Sequence, residues 1–439
     1  MITAAFRAPW LLTAARAFAA GGFPLYAVGG SVRNALMGLP ASDIDVCGPA
    51  TPDQVVALCA GTAVRAVLRV AHFGTVELHV TDADGRHMAE YTTFRMDSYR
   101  CGHQPSAVSF ATTPQVDALR RDFSVNALYL RLTDTPDAPE ALIDPTGGLA
   151  HIRQRVLHTV TVDPDQVLKD DGLRILRAAR FQAELGLTPT PALLASATRY
   201  APLLKDIAQE RLRDELIKLL LSDARYPTLT RSQPPVPAGL DTLLQVGAWG
   251  ALFGTLQAND TAIRATACYL PPEGMPPIAG KLTVLFWQES PQALGDCMRR
   301  LRISQREAAA TETSLKAMHG IRQGSLSLMD AVRLGLPALR QAAAAFTALH
   351  AAGEPLSMAC KQADAMLAAL QSGIPRSLQA LALSGDDLLP LCTARNLPAR
   401  QIGWVLDTLW QAAVEQRVKN EKTALLALAE KLLNEMKPD

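Results

Sequence analysis

One stretch, YAVGGSVRNALMGLPASDIDV (26–46), constrains this chain more than any other. Tyr26 to Val28 supply an apolar strand, and Gly29-Gly30 permit a tight turn with close backbone approach. Ser31 reads as the cap of a short helix through Leu36, which Gly38 and Pro40 end. A helix opening directly after two glycines offers backbone N–H groups and its dipole to a phosphate, and Arg33 adds a fixed positive charge, so a triphosphate fits this turn. Asp43 and Asp45 come next on an expected second strand, where alternation puts both on one face roughly 7 Å apart. Two such carboxylates repel unless a divalent cation neutralises them, and Mg²⁺ prefers hard carboxylate oxygens together with substrate phosphates. Two metals held this way stabilise both the attacking and the leaving oxygen of phosphoryl transfer. Either half of the pattern alone is common in α/β proteins; the joint spacing is what points to chemistry. GGSVRN lacks the third glycine of a Rossmann turn, and no GxxxxGK[ST] occurs.

The surroundings suit an α+β head. From Pro24 to about Leu130 short β-like runs alternate with turns: PLYAVGG, DIDVCG, TVELHV, HMAEYTTF and FSVNALYL, with DADGR (82–86) as a hairpin turn. Leu11, Leu12, Ala15 and Phe18 recur at helical spacing before Gly21-Gly22, so the first 22 residues read as a folded helix and not a targeting peptide. Beyond Asp163 the periods are helical, broken by two proline-rich joints, 226–239 and 269–280, that read as loops. At roughly 150 residues per domain, the 439 residues predict about three domains. Charged residues are 19% and hydrophobic ones 49%, which excludes long disorder. The 43 basic and 42 acidic side chains cancel, so no global field announces a polyanion partner and only a local basic surface is open. Seven cysteines without a CxxC pair fit neither a disulfide framework nor a zinc site, and a reducing cytosol is the simplest setting. No stretch of about 18 residues lacks polar groups, so no membrane span is expected, and no fixed-period repeat suggests a solenoid.

Four further segments complete the pattern. Glu90 lies in AEYTTFR, as a third acid near Asp43 and Asp45 or as an exposed hairpin charge. In ALRRDFSVNALYL (118–130), Arg120-Arg121 precede Asp122 and Asn126; in isolation this could be a capped surface turn. In DPDQVLKDDGLRILRAARF (163–181) Asp163 and Pro164 open a helix, on which Asp170, Arg174 and Arg177 share a face and Asp171 stands beside Arg174, as a solvated ion-pair face would. ERLRDELIKLL (210–220) sets Glu210 and Asp214, and Arg211 and Glu215, at i,i+4; the second, oppositely charged couple makes it read as a partly self-paired structural helix.

Taken together, GGSVRN, DID, EYTTFR, RRDFSVNAL, DDGLR and ERLRDEL resemble the tRNA nucleotidyltransferase/poly(A) polymerase family, the class II branch of the polymerase-beta-like nucleotidyltransferases. The family's GGxVRD turn ends here in Asn34 instead of Asp; the first acid of its EDxxR segment is shortened to Asp170, and a proline there is Gly172. The resemblance implies a mixed-sheet head (1–160), a helical neck (161–225), and an all-α body and tail (226–439) that binds tRNA. It implies Asp43 and Asp45 as Mg²⁺ ligands, with Glu90 as a third catalytic acid. Gly29, Gly30, Arg33 and Arg121 would meet the nucleotide phosphates, while Asp122 and Asn126 hold the sugar. Asp171 would accept from the exocyclic amino group of C or A and Arg174 donate to the neighbouring ring nitrogen, a pairing that leaves U and G mismatched. Arg177 and Arg180 would contact phosphate or position that template.

MRRLRISQRE (298–307) and residues 384–426 look like the body and tail of the long bacterial type, and no His-Asp dipeptide marks a fused phosphohydrolase domain. Residues 94–110 lie where family members carry the flexible loop that helps the site switch from C to A. The implied activity is template-independent addition of CCA to the 3′ end of tRNA from CTP and ATP, releasing pyrophosphate, in the cytoplasm and without a protein partner. A poly(A) polymerase with the same head, or a silent RNA-binding protein, are the alternatives.

Overall fold

The apolar run Leu25–Val28 is buried along its whole length and forms the inner strand β1 of a mixed sheet. The structure is a computed structural model that describes residues 4–41, 43–99, 105–133, 141–395, 397–398 and 400–435. After it come β2 (Asp45–Gly48), β3 (Val64–Val70), β4 (Thr75–Asp82), β5 (Gly85–Thr93), β6 (Arg95–Ser98), β7 (Ala107–Phe110), β8 (Tyr129–Leu132) and β9 (Ala141–Ile143), and the short parallel pair β10 (Val156–Leu157) and β11 (Thr188–Pro189). Seven of them make one sheet in the order β3-β4-β5-β2-β1-β8-β9; β2 and β5 run parallel and every other neighbouring pair antiparallel. The turn at 83–84 closes the β4–β5 hairpin as its DADGR sequence predicts.

Alternation sorts the two faces. Val76, Leu78 and Val80 of β4 and Ala89 and Tyr91 of β5 are buried. Tyr91 meets Phe18 of the first helix at 5.2 Å between ring centroids. That helix, α1 (Pro9–Ala20), buries Leu11, Ala15 and Phe18, so the amino-terminal segment is part of the core. The opposite face carries Glu77, His79 and Glu90, with Glu77 directly across from Glu90.

Register decides where chemistry can gather. Val28 pairs with Asp45 on one side and Tyr129 on the other, and Val46 pairs with Tyr91. The turn after β1, the start of β2, the approach to β8 and Glu90 therefore meet at one end of the sheet. The remaining helices of this unit are α2 (Gly30–Leu36), α3 (Pro52–Cys59), α4 (Pro114–Leu119), α5 (Gly148–Gln154), α6 (Pro164–Asp170), α7 (Leu173–Leu185), α8 (Pro191–Tyr200), α9 (Gln209–Leu220), α10 (Ser222–Arg225), α11 (Pro235–Gln245) and a short helix Trp249–Phe253. A β-carbon on Gly148 would lie 2.2 Å from the Ser124 carbonyl oxygen, so only glycine lets α5 pack beneath the 122–126 turn.

Both proline-rich joints depart from the loops expected of them. Pro235 and Pro277 sit in the first turns of helices Pro235–Gln245 and Pro277–Leu285, so each joint is only partly a loop. Proline lacks an N–H that a first turn leaves unbonded anyway. The chain divides into two compact units, Met1–Gly254 and Thr255–Asp439. The second is helical among its described residues; its last three helices, Gly385–Thr393, Gln401–Val414 and Lys422–Glu435, close around Leu388, Val405, Leu409, Leu425 and Leu433.

Candidate active site

At that end of the sheet lies a cavity of about 620 Å³ lined by Gly29, Gly30, Arg33, Asp45, Arg121, Asp122, Asn126, Asp171, Arg174, Arg177 and Arg180, joined by Arg95, Arg120, Leu173, Phe181 and Arg211. Eleven of the thirteen site residues read from the sequence thus share one space. Glu90 lines an adjoining cavity of about 370 Å³, which it shares with Asp45, Arg95, Arg120 and Arg121. Asp43 lines neither among the described residues.

Local backbone explains the placements and corrects two of them. Gly29, at φ 76°, is the residue that caps α2; Ser31 lies inside the helix, its hydroxyl donating to the Val28 carbonyl. The strand β2 begins only at Asp45. Asp43 precedes it in a bend at φ 52°, so the two aspartates do not alternate along one strand. Asp45 opens to the cleft, yet lost solvation, then Glu90 and Asp43, push its carboxyl up to about 6 against the pull of Arg121.

Arg120 and Arg121 are held from beneath by a carboxylate the sequence reading missed. Asp117 of α4 has no exposed surface. It accepts from Arg120 Nε (2.7 Å), Arg121 Nε and Nη2 (3.0 and 2.9 Å), the Tyr129 hydroxyl (2.8 Å) and the Arg95 backbone N–H (3.2 Å). Burial opposes its charge, but Arg121 and Arg120 outweigh burial and hold the carboxyl at about 2. Five residues on, Asp122 takes Arg177 Nε and Nη2 at 2.7 and 2.5 Å and the Asn126 amide at 3.2 Å. Burial again disfavours the charge, and Arg177 and Arg174 reverse that, keeping Asp122 well below the usual carboxylate range.

The expected single helix through 163–181 is two helices. α6 ends at Asp170, Asp171 adopts an extended backbone (φ −148°, ψ 103°), and α7 starts after Gly172. Asp170, Arg174 and Arg177 therefore do not form one helical face. Asp163 does cap α6, accepting from Asp165 N at 3.0 Å. The break aims Asp171 and Arg174 into the cavity from a corner. Arg174, 7% exposed, is clamped by its Nη1 on Val167 O (2.9 Å) and its Nη2 on Arg120 O (2.7 Å). A guanidinium has five N–H groups, so donors remain for a ligand. Asp171 accepts from Leu173 N (3.1 Å) and Arg211 Nη2 (2.7 Å).

Arg211 and Glu215 of α9 also depart from expectation: they do not pair within their helix. Arg211 reaches Asp171, and buried Glu215 accepts from Arg180 Nε (2.6 Å) with Arg177 Nη1 at 3.6 Å. Phe181 stacks the group, its ring centroid 4.1 Å from the Arg180 guanidinium carbon, 5.2 Å from that of Arg33 and 5.4 Å from that of Arg177. Of the eight arginines lining the cavity, only Arg33 and Arg174 make no ion pair among the described residues; both bond neutral oxygens. Residues 94–110 include the β6–β7 hairpin, and their 100–104 portion lies outside the described residues.

The donor set fits a hard divalent cation. Among the described residues no three His, Cys, Asp or Glu side chains form a metal cluster, but Mg²⁺ commonly uses one or two carboxylates and completes its shell with phosphate and water. Asp43 and Asp45 would supply that pair, and a cation would offset the lost solvation and the repulsion from Glu90 and Asp43 that raise the Asp45 carboxyl.

Known proteins resemble this chain in sequence and in fold. The Poly A polymerase head domain family matches residues 25–158, the family of the probable RNA- and SrmB-binding site of polymerase A residues 186–231, and tRNA nucleotidyltransferase domain 2 residues 280–429. A CCA-adding enzyme of Levilactobacillus brevis is 30% identical over 407 residues, covering 92% of this chain and 93% of the relative. One from Geobacillus stearothermophilus is 35% identical over 200 residues, 45% of this chain and 46% of its own. The fold matches a crystal structure of the Bacillus stearothermophilus CCA-adding enzyme in complex with CTP, with a TM-score of 0.69 at 24% identity over 97% of both chains. It also matches the Thermotoga maritima CCA-adding enzyme complexed with tRNA, with a TM-score of 0.68 at 17% identity over 96% of this chain and 94% of that one. Among the described residues no helix is long and apolar enough to cross a membrane.

Proposed function

Since the chain belongs to the CCA-adding enzymes, a family of nucleotidyltransferases, we propose that its 620 Å³ arginine-lined cavity is the nucleotide site of CCA addition. The enzyme adds C, C and A to the 3′ end of tRNA from CTP and ATP. A relative matched over more than nine-tenths of both chains weighs against the poly(A) polymerase alternative. The observation that carries the site assignment is the convergence of the GG turn, the 121–126 segment and the 171–180 corner on one cavity that also holds Asp45.

In the reaction the tRNA 3′-oxygen bonds to the α-phosphorus of the incoming nucleotide as the bond to pyrophosphate breaks. Arg33 and Arg121 face the phosphates. Asp122, fixed by Arg177, and Asn126 lie where the sugar would be held. Asp171 and Arg174 read the base: an acceptor beside a donor complements the amino-bearing edges of C and A and leaves an unpaired clash with U or G. Arg177 and Arg180, locked to Asp122, Glu215 and Glu184, stiffen the wall behind the base. Asp43 and Asp45 would hold Mg²⁺, which when bound supplies positive charge to the phosphates and to the attacking oxygen. Glu90 is a third acid beside Asp45. We assign the head to residues 1–160, the neck to 161–225 and tRNA binding to the helical remainder, 226–439, and place the reaction in the cytoplasm with its tRNA substrate.

The test is pyrophosphate release from CTP with a tRNA that lacks its 3′ CCA. Asp43→Ala and Asp45→Ala should each abolish release while leaving the circular dichroism spectrum unchanged, since neither side chain is in the core. Near wild-type turnover with Mg²⁺ in either variant would take that residue out of the reaction.

A further inference from the structure

Asn34, directly after Arg33 on the wall of the cavity, finds a partner 192 residues away. Its Nδ2 donates to the Pro40 carbonyl at 3.1 Å and to the Tyr226 hydroxyl at 2.8 Å. A carbonyl can only accept, so Pro40 fixes which end of the amide is nitrogen, and Oδ1 is left facing Arg33. That oxygen accepts from Arg33 Nη2 at 2.8 Å and Nε at 3.2 Å. The remaining terminal nitrogen, Nη1, reaches Asn126 Oδ1 at 2.5 Å on the cavity wall. Asn34, Arg33 and Tyr226 are all buried.

We infer that Asn34, braced by Tyr226, is a positioning residue that holds Arg33 toward the nucleotide phosphates without neutralising its charge. The inference rests on the reading of the cavity as a nucleotide site with Arg33 on phosphate. An amide oxygen orients a guanidinium as a carboxylate does but brings no negative charge. Six of the other seven cavity arginines show the contrast: Arg95, Arg120, Arg121, Arg177, Arg180 and Arg211 each make an ion pair with Asp or Glu, while Arg174 donates to two backbone carbonyls. Burial lowers the Arg33 pKa to about 10, a desolvation that Tyr226, Glu184 and Asp122 offset only in part while Arg180 adds to it. A polyphosphate entering the cavity would supply the negative charge that Asn34 withholds.

A carboxylate at 34 is unfavourable here for a second reason. It would set an acceptor against the Pro40 carbonyl, which loses its donor. Tyr226 begins the proline-rich joint 226–239, and its hydroxyl also lies 3.4 Å from Arg225 Nε. The joint thus does more than connect helices; its first residue braces the phosphate-facing turn.

Steady-state kinetics with the full-length protein and tRNA lacking CCA separate the possibilities. Asn34→Asp should raise KM for CTP and ATP alike by about 5- to 10-fold with kcat within about twofold, as expected for one charge-modulated contact made equally in ground and transition states. Tyr226→Phe, which removes one oxygen and keeps the ring, should raise both KM values by about 2- to 5-fold. The preference for CTP over UTP should not move in either variant, because the base is read elsewhere. An unchanged or lower KM in either variant, or a fall in kcat at constant KM, overturns the positioning role. Arg33→Ala measured alongside tests the underlying reading: if it leaves KM unchanged, Arg33 does not meet phosphate. If it raises KM strongly while Asn34→Asp and Tyr226→Phe do not, only the role of Asn34 and Tyr226 falls.

Discussion

Replacing Arg174 by Ala separates its two jobs. In the folded protein its guanidinium donates to the Val167 and Arg120 carbonyls, which ties the α6–α7 corner to the 120–122 segment. Losing both hydrogen bonds in a buried setting should lower stability by about 1–3 kcal/mol, at roughly 1 kcal/mol per bond. If Arg174 also reads the base, discrimination should fall by a further about 1–3 kcal/mol in transition-state terms, equivalent to about 5- to 160-fold. The assay is single-nucleotide incorporation on a tRNA ending before CCA, comparing kcat/KM for CTP, UTP and GTP, with urea unfolding run on the same samples. Arg174→Lys keeps a cation but not the planar fork, so it should relax selectivity almost as far as Ala does. A CTP-to-UTP ratio that stays at the wild-type value while stability drops would make Arg174 a structural clamp and refute the template assignment.

Asp117→Ala should destabilise the fold by about 3–5 kcal/mol in urea titration, because it strands Arg120 and Arg121 with an uncompensated buried charge; a loss under about 1 kcal/mol would show those arginines simply relax into solvent. Burial, with Glu90 and Asp43 beside it, pushes the Asp45 carboxyl up to about 6 in the folded protein, against about 3.9 when unfolded. The native state therefore binds the extra proton between those values, so the contribution of Asp45 to the stability of the metal-free protein, read as the difference from Asp45→Asn, should rise as pH is lowered from 7 toward 4. Over the same range Mg²⁺ must displace that proton, and its affinity measured by calorimetry should fall about tenfold per pH unit below 6. Equal affinity at pH 5 and 7.5 would place the ion elsewhere.

The parts of the site that could be read from sequence are the contiguous ones. Gly29-Gly30-Arg33, Arg121-Asp122-Asn126 and Asp171-Arg174 each carry their residue types within a few positions, and each lines the cavity. What escaped were partners supplied across the fold. Nothing near Asp117 in sequence says that it will be wholly buried under two arginines and Tyr129, since that depends on β8 lying beside β1. Arg211 and Glu215 have ideal spacing for pairing within their own helix, yet Asp171 and Arg180 compete for them, and a buried, fixed partner is worth more than an exposed i,i+4 pair. Asp43 and Asp45 look like alternate strand positions because hydropathy does not record the positive φ at Asp43 that delays the strand. The break at Asp171-Gly172 was signalled by the glycine, but helical periodicity on both sides masked it.

If the arginine-lined cavity builds one defined trinucleotide with bases chosen by protein side chains, product length is the quantity that shows it most directly. The experiment incubates the full-length protein and Mg²⁺ with tRNA ending before CCA, supplying CTP alone, ATP alone, or both, and reads the products at single-nucleotide resolution. CTP alone should add two nucleotides and both together three, with extension then stopping. ATP alone should not generate a long tail, either on this tRNA or on an unstructured RNA primer. Long oligo(A) products from ATP alone, or indefinite addition of C, would contradict it.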